Sequence, residues 1–146
     1  MINLKYLTTP FLFFVLFATD SNCQNSGDIT VTISDFEFSR KGQLITMIFE
    51  SEEGFPSNLG KAVRSVKSRG DDIGKWVRTF GKLSFGEYAV VVYYDKNSNN
   101  KLDRNFFGSP KEPIGTSCNR KSGRLKFENA SFKLDGQVKE LKIKLY

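Results

Sequence analysis

Apolar and polar residues alternate along most of the chain from residue 28 onward. In residues 28–36, Ile29, Val31 and Ile33 fall on one side and Thr30, Thr32 and Ser34 on the other. This period of two, carried by β-branched residues, predicts a half-buried strand. Arg40-Lys41-Gly42 predicts a turn. Residues 43–49 are apolar on both faces and predict an interior strand, paired with the first as a hairpin. Gly54 and Pro56 mark a polar break. The period then changes. Leu59, Ala62, Val63 and Val66 share one face of a helical projection, and Lys61, Arg64 and Lys67 share the other. The pattern predicts one short crossover helix, capped by Ser57, with its apolar side on the edge of the core. The stretch is short and holds Gly60, so it depends on tertiary packing.

Residues 73–80 predict another strand, and Gly81-Lys82 a turn. The run Tyr88-Ala89-Val90-Val91-Val92-Tyr93-Tyr94 is apolar on both faces and predicts the central strand. Tyr88 at its entrance matches the place of a tyrosine corner, where the hydroxyl closes onto nearby backbone. Residues 95–124 are polar and broken by Gly108, Pro110, Pro113, Gly115 and Gly123. Residues 125–134 predict a strand with a kink at Asn129-Ala130. In residues 138–146, Leu141, Ile143 and Leu145 alternate with Lys142 and Lys144, as on an edge strand guarded by lysine. About seven strands and one short helix predict an all-β chain. The expected form is an antiparallel β-sandwich of the immunoglobulin-like or transthyretin-like Greek-key kind. It would span residues 24–146 as a single domain.

Residues 1–23 read as an address. Lys5 is followed by an apolar block from Phe11 to Phe17 and then by small polar residues. The block is shorter than the ~20 residues a membrane-spanning helix needs, and it matches a secretory signal peptide. The mature chain is expected to begin between Asn22 and Asn25, without a lipid. No transmembrane helix would remain in the mature form. Lipid anchoring through Cys23 ranks second, because Asp20 and Asn22 stand where such a site wants an aliphatic and a small residue. The location implied is periplasmic, outer-surface or secreted.

Composition narrows the chemistry. The 146 residues include no histidine, which excludes histidine-based triads, metal sites and proton switches. The net charge of +6 survives removal of the leader, which takes one lysine and one aspartate. No basic run appears, so nucleic acid is not expected as a partner. Without Cys23, Cys118 has no internal partner and is expected to be buried or to cross-link two chains.

One loop carries recognisable chemistry. In Asp95-Lys96-Asn97-Ser98-Asn99-Asn100-Lys101-Leu102-Asp103, oxygen-bearing side chains occupy alternate positions. Calcium takes six to eight hard oxygen ligands, and the spacing fits the first, third, fifth and ninth places of a calcium loop. Asp95, Asn97, Asn99 and Asp103 would supply side chains, and Lys101 its carbonyl at the seventh. Asn100 replaces the usual glycine at the sixth place and can still turn left-handed. Phe106 replaces the usual glutamate at the twelfth, so Asp71, Asp72 or Glu112 would have to complete the shell. Removing either loop carboxylate should then abolish a calcium response and leave the calcium-free protein almost unchanged. The competing reading is a plain polar turn, since Asn and Asp cap their own backbone readily.

The stretch Gly86-Glu87-Tyr88-Ala89-Val90-Val91-Val92-Tyr93-Tyr94-Asp95, with Asn97, Asn99, Lys101-Leu102-Asp103, Asn105 and Phe107-Gly108-Ser109-Pro110-Lys111-Glu112, resembles an uncharacterised exported bacterial family, domain of unknown function 2141. Ile29-Thr30-Val31, Glu53-Gly54-Phe55-Pro56 and Phe127-Glu128-Asn129-Ala130 with Phe132 extend the similarity over residues 28–146. The resemblance implies export and a small β-sandwich, and supplies no reaction. The function expected is a non-catalytic binding or structural module of the cell envelope, with calcium the one cofactor in view. A surface, a glycan or another envelope protein would be its partner. One alternative is a small-ligand carrier with an apolar pocket, lidded by residues 59–66 and Phe106-Phe107. Another is a hydrolase using paired carboxylates, Asp95 with Asp103 or Asp71 with Glu112.

Overall fold

The computed structural model describes residues 25–37, 41–69, 75–119 and 124–146. The expected leader, Cys23, Arg40 and the Asp71-Asp72 pair lie outside those residues. Eight strands form two sheets: β1 Ser26–Ser34, β2 Gln43–Phe49, β3 Arg64–Arg69, β4 Lys75–Ser84, β5 Gly86–Asp95, β6 Ile114–Thr116, β7 Ser131–Leu134 and β8 Val138–Ile143. The first sheet runs β4-β1-β8 and the second β3-β2-β5-β6. β7 shares the β6 edge of β5, pairing Gly86–Ala89 while β6 pairs Val91–Tyr93. Every pair is antiparallel except β1 with β8.

The period-two pattern explains the layers. Ile29, Val31 and Ile33 of β1 and Leu141 and Ile143 of β8 pack against Leu44 and Ile48 of β2 and Tyr88, Val90, Val92 and Tyr94 of β5. The opposite faces of β2 and β5 carry Ile45, Met47, Phe49, Val91 and Tyr93 into a second cluster with Leu102. Phe55, Leu59, Ala62, Ile114 and Phe127 cover that cluster. Apolar residues on both faces thus place β2 and β5 at the centre, as the sequence implied. The Tyr88 hydroxyl donates to the Ser84 carbonyl at 2.8 Å, closing the expected corner.

Four expectations change, besides the strand expected over residues 125–134, which is confined to Ser131–Leu134 and preceded by a 3-10 turn at Phe127–Asn129. β1 and β2 do not form a hairpin: they lie in different sheets, because β2 is flanked on both edges by β3 and β5. The short helix is replaced by a 3-10 turn, Leu59–Lys61, followed by β3. Asn58, not Ser57, caps the turn by accepting the Gly60 N–H at 3.0 Å. The Val63 N–H then bonds the Ile48 carbonyl at 2.8 Å, and pairing with β2 outweighs a helix too short to sustain itself. Leu59 and Ala62 still cover one face of the sheet, while Val63 and Val66 pack on the other side against the inter-sheet core. Gly81-Lys82 is not a turn either. It lies within β4, opposite a register shift between Gly27 and Ile29, with Lys82 left-handed at φ 58°. Finally, the polar segment conceals β6. No helix among the described residues is long and apolar enough to cross a membrane.

Candidate functional site

β5 delivers Asp95 to the end of the second sheet on the face that carries Tyr93. The residue is 0% exposed. A buried carboxylate is stable only when its oxygens are hydrogen-bonded. Here Oδ1 accepts the Asn99 N–H at 3.1 Å, and Oδ2 accepts the Asn100 N–H at 2.7 Å and Gln43 Nε2 at 2.8 Å. Gln43 stands opposite Asp95 in the β2–β5 register. The same amide donates to Asn100 Oδ1 at 3.0 Å.

The other predicted residues wind around the same turn. Asn97 Oδ1 also accepts the Asn99 N–H at 3.1 Å, and Asn99 Oδ1 accepts the Lys101 N–H at 2.8 Å. The amides of Asn97 and Asn99 then grip Asp103, donating to Oδ2 at 2.8 Å and Oδ1 at 3.0 Å. Ser98 and Asn100 are left-handed at φ 57° and 64°, so Asn100 does take the conformation expected of it. Asp95, Asn97, Asn99 and Asp103 are all drawn into one hydrogen-bonded unit. The Lys101 N–H joins it as well.

Phe106, at the twelfth place, points away and is almost wholly exposed. Glu112 reaches in from outside the motif. It is buried, its Oε1 accepts the Lys96 N–H at 2.8 Å, and its Oε2 accepts the Asp103 N–H at 3.1 Å. The carboxylate therefore spans the second and ninth residues of the loop. Among the three residues considered for this role, Glu112 is the one the structure brings to the loop, and Asp71 and Asp72 lie outside the described residues. Sequence reasoning missed Gln43, which only strand register brings near. It also missed Tyr93, whose buried hydroxyl has no hydrogen-bond partner among the described residues. Burial, then the charges of Asp95 and Glu112, push that phenol up to about 12.

These contacts decide the chemistry on offer. Among the described residues no three Asp, Glu, Cys or His side chains gather as a metal cluster. A cation here would rest on two carboxylates with amide and carbonyl oxygens. Each amide oxygen that accepts one N–H keeps a second lone pair for a cation. One expectation is corrected: Asp95 is not a silent position without calcium, because its removal would take the acceptor from the Asn100 N–H and leave the Asn99 N–H and the Gln43 amide with one partner each. Asp103, partly exposed and bonded at its carboxylate by side-chain amides, is the cleaner probe. Cys118 is exposed, not buried, and free.

A second turn grows from the first. The Lys111 N–H bonds the Asp103 carbonyl at 2.8 Å, and Arg104 bridges Pro110. At its tip the Asn105 N–H bonds the Ser109 carbonyl, and Asn105 Oδ1 accepts the N–H groups of Phe107 at 3.0 Å and Ser109 at 2.9 Å. Gly108, at φ 79°, takes a conformation that suits glycine. Beside this tip lies a surface cleft of about 740 Å³, lined in part by Phe55, Arg104, Phe107, Arg124 and Leu125.

Fold and site together define a small two-sheet β-protein whose central strand runs into an Asp/Asn turn closed by a distant glutamate. The chain belongs to the family described as an uncharacterized protein conserved in bacteria, DUF2141, which it matches over residues 31–142. No curated protein and no solved structure matches it.

Proposed function

We propose that this protein is an exported, non-catalytic binding or structural module of the cell envelope, with residues 95–112 as its working unit and calcium as the ion that stiffens it. One observation carries the reading. The side chains at the first, third and fifth loop positions each accept a backbone N–H from further along the loop, and this winds Asp95, Asn97, Asn99 and Asp103 together. Calcium favours such a compact set of hard oxygens, and magnesium, which wants a tighter octahedron, does not. The leader supports export. Carboxylates that each accept two or three N–H bonds from their own surroundings support a structural role over general acid–base work, which needs a carboxyl free to face substrate. The inter-sheet space is filled by buried side chains, which supports a module over a carrier.

Titration calorimetry of residues 24–146 tests this. Two carboxylates suggest a Kd on the order of 0.1–1 mM, as in extracellular calcium modules. Calcium at ten times Kd should stabilise the fold by about 1.4 kcal/mol. Asp103→Ala should abolish the response, and Asn100→Gly should keep it. No heat and no rise in melting temperature up to ~10 mM calcium would leave a polar turn and remove the calcium reading.

A further inference from the structure

Phe106 and Phe107 are 97% and 86% exposed at the tip of the second turn. Adjacent bare phenylalanines are costly in water, and a loose loop would fold them back onto the core. This one is held outward by Asn105, which ties both sides of the tip. Arg104 also donates from Nη1 to the Gly108 carbonyl at 2.8 Å. In residues 104–111 both charged residues, Arg104 and Lys111, are basic, and both are exposed. Arg124 stands on the cleft wall with Phe107.

We propose that this tip is a membrane-docking wedge: Phe106 and Phe107 enter the interface of an anionic phospholipid surface, and Arg104, Lys111 and Arg124 meet the phosphates. The apolar area selects this partner. Two rings offer roughly 400 Å², about half of what each side of a stable protein interface buries. The rings meet edge to face, at 87° between planes, so they share no platform on which a sugar could stack. A lipid interface requires only a short apolar wedge with a basic collar. The proposal does not rest on calcium.

The test is co-sedimentation of residues 24–146, which hold all eight strands, with vesicles in chelator-containing buffer at low salt. The chain should bind equimolar phosphatidylglycerol and phosphatidylcholine at least tenfold more tightly than phosphatidylcholine alone. Phe106→Ser with Phe107→Ser should weaken that binding at least tenfold without moving the melting temperature. Arg104→Gln with Lys111→Gln should erase the preference for the anionic lipid. Phe106→Trp should gain a blue-shifted emission component on the vesicles, distinct from buried Trp76. Failure of the wild-type chain to sediment would overturn the proposal. So would a double phenylalanine variant that binds as wild type, since charge alone would then explain the contact. Because calcium is absent throughout, neither result bears on the calcium reading.

Discussion

Tyr93 shows how one atom can set a local balance. The side chain is 0% exposed and its hydroxyl has no partner among the described residues, an arrangement that typically costs about 1–3 kcal/mol. Tyr93→Phe removes the orphan oxygen and keeps the ring. It should therefore raise stability at neutral pH by about 1 kcal/mol, readable in urea unfolding. The variant also has a pH signature. In the folded chain the phenol is pushed up to about 12 from its ordinary 10, first by burial and then by Asp95 and Glu112. Below pH 10 it is protonated in both states, and its contribution is fully present. Between pH 10 and 12 the unfolded chain ionises first, so that contribution is lost. The stability gap between Tyr93→Phe and wild type should widen over that window; a constant gap would mean the phenol is not held neutral by the fold. Asp95, Asn97 and Asn99 were legible because they bond residues two to six positions away along the same loop. Tyr93, Gln43 and Glu112 were harder to read because the register of β2, β5 and β6 brings them in, and no local spacing records it.

At the scale of elements, the guarded edge belongs to β8. Lys142 and, just past its end, Lys144 stand exposed there, but Asn119 does the specific work. Its Nδ2 donates to the Lys142 carbonyl at 2.6 Å, and its Oδ1 accepts the Lys144 N–H at 2.8 Å. One side chain thus imitates a neighbouring strand. Further on, Tyr146 and Ile114 exchange backbone bonds at 3.2 Å, joining the end of the first sheet to β6 of the second. Gly115 permits this approach, because a Cβ there would lie 2.2 Å from the Lys144 carbonyl oxygen. Asn119→Ala should cost about 1–2 kcal/mol, from two lost bonds and a left-handed backbone at φ 51°. Asn119→Gly should cost less, since glycine relieves the backbone part, and thermal unfolding of both variants separates the two terms. Equal losses would show that strain plays no part. The sequence pattern marked β1, β2, β5 and β8 clearly. It misread residues 59–66, because four apolar residues at that spacing suit a helix face and also a turn leading into a strand. Only pairing with β2 decides between them. It missed β6, since three residues between Pro113 and Ser117 carry no period.

For the molecule as a whole, the two sheets and their connections create a gradient from a filled core to a built surface. β5 is covered on both faces and runs directly into the Asp95 turn. That turn supports the Asn105 turn, which holds the two phenylalanines in water. Asp95 and Glu112 act as internal acceptors that fold residues 95–112 before any ligand arrives. Amide hydrogen exchange of residues 24–146, with and without calcium, tests it most directly. The N–H groups of Lys96, Asn99, Asn100 and Asp103 should already exchange slowly in calcium-free protein and more slowly with calcium. Glu112→Gln should speed Lys96 and Asp103 selectively. Exchange of these four amides at the rate of an open chain in calcium-free protein would contradict the claim.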